Sequence, residues 1–297
     1  MTTNLRRRER TDWLLNRIFK ATGLLTIAVL GGIFFMLLYN SVAFFLDIDP
    51  VDFFTGSQWK PGGESAGYSI LPLLASTGLV ALGSMAIAVP LGILTAAFLS
   101  ELAPSHLQAI LKPVIEMLAA IPSVAIGFLG IVLVGPGIAT LFGLQNGLNA
   151  LNGSILLAVM ALPTIVTISE DAINAVPDSY REASLALGAD RWATLFRVTL
   201  PAALPGLIAA VMLGLGRALG ETMTVLMATG NASAMPRGFL DSIRTITATI
   251  AIEMGEVPYR TTHYFALFAI AAVLFIITLV INILGETLAN RLRKFHA

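Results

Sequence analysis

The 297 residues are 56% hydrophobic and only 12% charged, with no net charge and no cysteine. Soluble domains carry about 25% charged residues, so this is an integral membrane protein, and its neutral balance gives no case for nucleic-acid binding. Lack of cysteine excludes disulfides, thiolate metal sites and a cysteine nucleophile, and the three scattered histidines, His106, His263 and His296, do not make a zinc cluster.

Residues 1–20 form a basic tail with Arg6, Arg7, Arg8, Arg10, Arg17 and Lys20, and 21–46 carry no charge. An uncharged stretch of that length without a small-residue cleavage site predicts a retained first transmembrane helix and not a signal peptide. Residues 47–67 are acidic, with Asp47, Asp49, Asp52 and Glu64 against Lys60, and read as an external loop. A core of five more spans fills 68–290, followed by a tail at 291–297. The second span falls at 77–99, with Pro72 in a helical lead-in and Pro90 at a kink. The third, 113–134, contains Glu116 and Pro122; Pro122 interrupts the backbone ladder, leaving carbonyls and Ser123 to face a cavity. The Gly- and Asn-rich stretch 135–153 reads as an external loop. The fourth, fifth and sixth spans are predicted at 154–172, 204–229 and 264–285, with a polar segment at 231–262.

Six spans place both termini on one side. That side holds 13 of the 18 Lys and Arg residues, the opposite loops hold Lys60, Arg237, Arg244 and Arg260, and Arg217 lies within a span. The positive-inside rule therefore puts the termini and the loop at 176–203 in the cytoplasm.

Within that loop, 178–201 is the longest polar interruption between apolar segments and reads as two short helices. Ser179 and Glu182 have capping-box spacing, Gly188 suits a left-handed helix end, and Asp190 is placed to cap the second helix. Trp192, Leu195 and Phe196 then share a face, and Pro201 ends the segment. Such a knob either rests on lipid headgroups or docks to a partner in the aqueous phase. The chain has no phosphate-binding P-loop, because none of Lys20, Lys60, Lys112 and Lys294 is followed by Ser or Thr. Any ATP site belongs to another subunit.

Arg217 and Glu221 sit four residues apart near the middle of the fifth span, on one helix face, and Thr224 continues the stripe. Each charge costs roughly 2.5–3.5 kcal/mol at the bilayer centre, so the pair faces protein or water. Two readings stand: a self-neutralising packing pair, or a transport-path site whose planar guanidinium matches an oxyanion. Gly216 and Gly220 offer a small-xxx-small face for close helix approach.

Glu182-Ala183-Ser184, three residues, Gly188, nine residues, then Val198, Leu200 and Pro201 resemble the EAA loop of ABC-transporter permeases. Ser184 and Val198 depart from the usual Ala and Ile. The run Gly214-Leu215-Gly216-Arg217-Ala218-Leu219-Gly220-Glu221-Thr222-Met223 is similar to permeases of bacterial phosphate uptake, of the PstC type. So are Glu116-Met117-Leu118-Ala119-Ala120-Ile121-Pro122-Ser123 and Ala251-Ile252-Glu253-Met254-Gly255-Glu256. The resemblance implies an all-α membrane protein with six transmembrane helices in the MetI-like type I ABC importer permease fold. It implies a coupling loop made by Glu182, Ala183, Ser184, Gly188, Asp190, Arg191, Leu200 and Pro201, and a substrate path at Arg217, Glu221, Thr224 and Ser123.

The implied partners are a sister permease of the PstA type as heterodimer, two ATPase subunits carrying ATP and Mg, and a periplasmic or lipid-anchored phosphate-binding protein. The implied setting is membrane lipid of the bacterial inner membrane, and no cofactor or enzyme chemistry is expected in this chain. Three rivals remain open: an importer of sulfate, molybdate or phosphonate; a gradient-driven carrier using Glu221 as proton relay; and a membrane scaffold reporting phosphate status.

Overall fold

The computed structural model describes residues 2–62 and 66–295. Glu64 and His296 lie outside the described residues, as do the side chains of Arg6, Arg7, Arg8, Arg10, Arg293 and Lys294. Helix α1 (Thr2–Asp47) is followed by a short α2 (Pro50–Thr55) and a two-residue antiparallel ribbon, β1 (Trp59–Lys60) with β2 (Gly67–Tyr68). Then come α3 (Leu71–Ala97), α4 (Ser105–Ala119), α5 (Ser123–Leu129), α6 (Gly135–Phe142) and α7 (Ala150–Asn174). The loop helices α8 (Asp178–Ala186) and α9 (Arg191–Thr194) lead into α10 (Leu200–Gly220), α11 (Met223–Ala228), α12 (Ile246–Glu253) and α13 (Thr262–Phe295). Three π-helical turns occur: Phe98–Leu102 ends α3, while Gly130–Val134 and Leu195–Thr199 join neighbouring helices without a break. Among the described residues, six helical stretches are long and apolar enough to cross a membrane.

Helix α7 is the axis of the bundle. It packs against α3 on one side and α10 on the other, and its buried face includes Leu156, Leu157, Ala161 and Ile165. Lipid offers no hydrophobic drive for helix pairing, so close approach of small residues supplies the packing. A Cβ on Gly206 would lie 2.4 Å from Ala172 Cβ, and one on Gly214 2.7 Å from Ile165 Cγ1. The close-approach stripe of α10 is therefore Gly206, Ala210, Gly214 and Ala218. Gly216 and Gly220, the expected pair, do not make it: Gly216 meets only Asn282 at 3.9 Å, and Gly220 meets open space.

α3 starts with Pro72 in its first turn and continues as helix through Pro90, which lies on its exposed surface. Other local expectations are revised. The third span does break at Pro122, which is the N-cap of α5, but helix continues past Val134 to Phe142. Pro136 follows directly on the π-helical turn Gly130–Val134, whose i→i−5 bonding already interrupts the α-helical ladder, and Gly143 at φ +65° ends α6. The loop is thus only 143–149. Pro201 likewise does not stop its helix; it occupies the first turn of α10, directly after a π-helical turn. Ser179 makes no cap on α8, whose N-cap is Pro177.

On the face away from α8, a second core gathers Phe44, Phe53, Trp59, Ile70, Ile246, Leu267 and Ile270. It ties the end of α1 and the ribbon to α12 and the start of α13.

Candidate functional site

The residue pairs along α7 fix the depth of the charged site. From one end to the other, Gly206 lies on Ala172 and Gly214 on Ile165. Arg217 Nη1 then donates to Thr164 Oγ1 at 3.2 Å, Thr224 Oγ1 lies 3.1 Å from Met160 Sδ, and Gly153 packs under Thr229. Thr164 and Met160 flank the midpoint of a 25-residue helix about 37 Å long. Arg217 and Glu221 therefore sit at mid-bundle depth.

They do not share a helix face. α10 ends at Gly220, and Glu221 adopts extended backbone (φ −71°, ψ 133°). No ion pair joins Arg217 and Glu221 among the described residues. The i, i+4 argument fails because it assumes a continuous helix. Tertiary contacts hold the break open. Thr247 of α12 donates its hydroxyl to the Glu221 carbonyl at 2.8 Å. The Glu221 carboxylate turns forward and accepts the Thr224 N–H at 3.3 Å. Each charge then complements a helix terminus: Arg217 lies in the last turn of α10, and Glu221 faces the free N–H groups of α11.

A second break lies alongside. Thr224 is fully buried, and its hydroxyl is 3.1 Å from the backbone carbonyl of Ser123, the first residue of α5 after Pro122. Ser123 thus contributes its carbonyl, and the carbonyl finds a partner on α11 instead of facing a cavity. Two interrupted spans meet at one point at the mid-depth of the bundle. Irregular backbone at that depth occurs only where protein or a water-lined path satisfies it. Arg217 is half-buried and, among the described residues, a single hydrogen bond engages its five N–H donors. The remainder of the fork is free to meet an anion.

The loop face is built differently. Gly188 takes φ +87° between the two short helices, a conformation that costs other residues about 1–2 kcal/mol. Asp190 caps α9 by accepting the Ala193 N–H at 2.6 Å. Ser184 and Thr194 hydroxyls join α8 to α9 at 2.9 Å, which gives the Ser at this position a structural use. Leu187 is 90% exposed, and Trp192 and Phe196 stack outward with ring centroids 6.3 Å apart. Leu195 turns inward and is buried, so the expected three-residue face is a two-residue one. Glu182, Ala183, Asp190, Arg191 and Pro201 are exposed, while Leu200 is half-buried. An apolar cleft of about 470 Å³ runs between the helices, lined by Tyr180, Ala183, Leu187, Ala193 and Val198.

Residues 88–294 match the family of the binding-protein-dependent transport system inner membrane component. The chain belongs to this family. It is 38% identical over 276 residues to YqgH of Bacillus subtilis, a probable ABC transporter permease, covering 92% of this chain and 89% of that protein. It is 32% identical over 307 residues to the phosphate transport permease PstC of Mesorhizobium japonicum, covering 97% and 93%. With PstC 1 of Mycobacterium tuberculosis the identity is 34% over 283 residues, covering 83% and 84%. Among solved structures, an alginate ABC transporter chain superposes with TM-score 0.64 at 16% identity, covering 97% of this chain and 99% of that one. A chain of the MetNI methionine transporter gives TM-score 0.56 at 22% identity, covering 75% and 94%. Family membership and fold make this chain a multi-pass ABC importer permease of the MetI type. Members of its class are transport components and not enzymes.

Sequence reasoning missed Thr164, Met160 and Thr247, which position the charged site from other helices. Only the placement of Thr164 after Pro163 in an apolar span hinted at it. It also missed Arg181 and the environment of Glu253, both of which are tertiary in origin.

Proposed function

We propose that this chain is the permease subunit of an ATP-driven importer that moves inorganic phosphate across the cytoplasmic membrane. The observation that carries this reading is the half-buried Arg217, with most of its donor fork unengaged, at the junction of two broken spans. A guanidinium stays charged at any working pH and matches the tetrahedral oxyanion with parallel N–H donors. Glu221, held nearby by Thr224, opposes prolonged residence of an anion, so passage is transient. Ser123 and Thr224 lock the two breaks together and position the path. PstC relatives at 32–34% identity support the choice of phosphate.

In this reading a sister permease of the PstA type pairs with the chain, two ATPase subunits carry ATP and Mg, and a phosphate-binding protein delivers the solute from outside. The loop at 176–203 docks to the ATPase, with Leu187, Trp192 and Phe196 as its apolar contacts. The basic segment 1–20 and the tail 291–297 lie in the cytoplasm with that loop, and 47–67 lies outside. The chain itself holds no nucleotide and catalyses no reaction.

A second oxyanion remains the competing substrate, since an Arg fork suits sulfate, molybdate or phosphonate equally. A carrier driven by an ion gradient has no use for an ATPase-docking loop. The test is uptake of labelled phosphate into proteoliposomes holding all four components, with excess sulfate as competitor. ATP-dependent uptake that ignores sulfate supports the reading. Sulfate transport without phosphate transport replaces the substrate, and uptake without ATP replaces the class.

A further inference from the structure

Among the described residues, one side chain of the loop helix α8 hydrogen-bonds the ends of the spans. Arg181 Nε donates to Glu101 Oε1 at 2.8 Å. Its Nη1 donates to the Val176 carbonyl at 2.6 Å and to Asp178 Oδ1 at 3.0 Å, and its Nη2 to the Ile173 carbonyl at 2.9 Å. The side chains of Arg181 and Glu101 are each only 18% exposed. Ile173 lies in the last turn of α7 and Val176 just beyond it, where carbonyls lack regular α-helical partners. Glu101 lies in the π-helical turn that ends α3. One planar guanidinium thus fastens α8 to the ends of two spans.

The other connection of the loop is different in kind. Between α9 and α10 the chain passes through the π-helical turn Leu195–Thr199, a wider and less regular winding than α-helix. The loop therefore has one stiff attachment, to α7 and α3 through Arg181, and one irregular attachment, to α10. Helix α7 is the same helix that presents Thr164 to Arg217 and Met160 to Thr224. From Ile173 to Met160 is 13 residues of continuous helix, or about 20 Å.

We propose that Arg181 is the transmission pin of the permease: a positioning residue that carries displacement of the docked loop into α7, and through α7 to the Arg217–Thr224 junction. This rests on the importer reading above and extends it. A Lys at this position keeps the charge but offers a point donor on a flexible stem, and cannot hold the Glu101 carboxylate and two carbonyls at once. Arg181 points inward and stands apart from the exposed residues of the docking face, so weakening it leaves docking intact while loosening the transfer of motion.

The test uses the full complex of this chain with its sister permease, ATPase and binding protein in proteoliposomes. Wild type, Arg181→Lys and Glu101→Gln are compared for ATPase co-purification, ATP hydrolysis and labelled phosphate taken up per ATP hydrolysed. The expected result is retained ATPase and continued hydrolysis, with uptake per ATP reduced about tenfold in Arg181→Lys, within the range of a typical coupling energy. Because the chain has no native cysteine, Arg181→Cys with Glu101→Cys can be bridged by a short bismaleimide, and the bridge is expected to restore uptake per ATP. Unchanged uptake per ATP in both single variants overturns the pin. So does loss of the ATPase from both, which would make Arg181 a folding element of the docking face. A wild-type complex that transports without ATP refutes the importer reading itself, and is told apart by needing no variant.

Discussion

Trp59 donates its indole N–H to both carboxylate oxygens of Glu253, at 3.1 Å each, across 194 residues of sequence. The same carboxylate accepts Arg244 Nη1 at 2.9 Å and lies 2.8 Å from His263 Nε2. Ribbon, loop, α12 and α13 thus converge on one largely buried acid. α12 carries Glu253 at its C-terminal end and Thr247, the partner of the Glu221 carbonyl, near its N-terminal end.

Removing that acid strands a cation. Glu253→Ala leaves Arg244 and the Trp59 N–H without their shared partner, and breaking a buried pair costs about 3–5 kcal/mol. Trp59→Phe loses one hydrogen bond to a charged group, about 1.5–3 kcal/mol. Thermal unfolding in detergent should show both, with Glu253→Ala the lower in Tm. Equal Tm values for wild type and Glu253→Ala would show that the cluster is ornamental.

Arg217→Gln should reduce phosphate uptake at least ~10-fold, the low end of what a lost charged hydrogen bond implies, while the complex still assembles. Arg217→Lys should also fail, because a point charge does not replace the fork. Wild-type uptake by Arg217→Gln, measured on complexes of equal purity, would remove Arg217 from the path.

The docking loop separates geometry from contact. Gly188 sits at φ +87°, and a Cβ added there would meet nothing within 4 Å, so Gly188→Ala costs only its backbone strain, about 1–2 kcal/mol. Glu182 is exposed and makes no ion pair among the described residues. Glu182→Lys should therefore leave Tm unchanged and abolish co-purification of the ATPase. Retention of the ATPase by Glu182→Lys would place the docking contacts elsewhere on the loop.

Gly206→Ala and Gly214→Ala should each destabilise the chain by about 1–3 kcal/mol through overpacking against α7, since their Cβ atoms would meet Ala172 and Ile165. Gly220→Ala should not. The contrast is read in one series of unfolding curves, and a Gly220→Ala variant as unstable as Gly206→Ala would contradict the packing described.

Tyr68 supplies a pH dependence. Burial, and secondarily the Glu253 charge, raise its phenol above 10.0. The folded chain binds that proton more tightly than the unfolded one, so the contribution is constant below about pH 10 and stability is lost as pH rises through the raised value. Tyr68→Phe should flatten the alkaline limb of a stability profile; a wild-type curve as flat as the variant's would show that Tyr68 does not report there.

Much of this was legible locally. The six apolar stretches, the turn at Gly188, the cap at Asp190 and the break at Pro122 each follow from residues next to one another. The break at Glu221 was not legible, because no proline marks it and Arg217 with Glu221 reads as ordinary helical spacing. What opens it is Thr247, brought from α12. Proline misled twice in the other direction: Pro136 and Pro201 stand directly after π-helical turns, which already interrupt the α-helical ladder, and a string of Gly and Pro at 135–137 imitates a loop. Ser179 had the right spacing for a cap, yet the helix begins two residues too early for it.

Helix α1 has a consequence for how the protein is made. No residue of its apolar window is fully buried, and its packing is concentrated on α13, including the stacked rings of Phe34 and Phe275. α1 is synthesised before α13 and therefore finds its main neighbour only after the spans between them have emerged. Until then it must persist as a solitary helix in lipid, which a 33-residue stretch containing an 18-residue window of mean hydropathy 2.3 can do. Chains truncated before α13 should insert α1 stably yet leave it undocked, so that docking of these two helices is a late step of assembly.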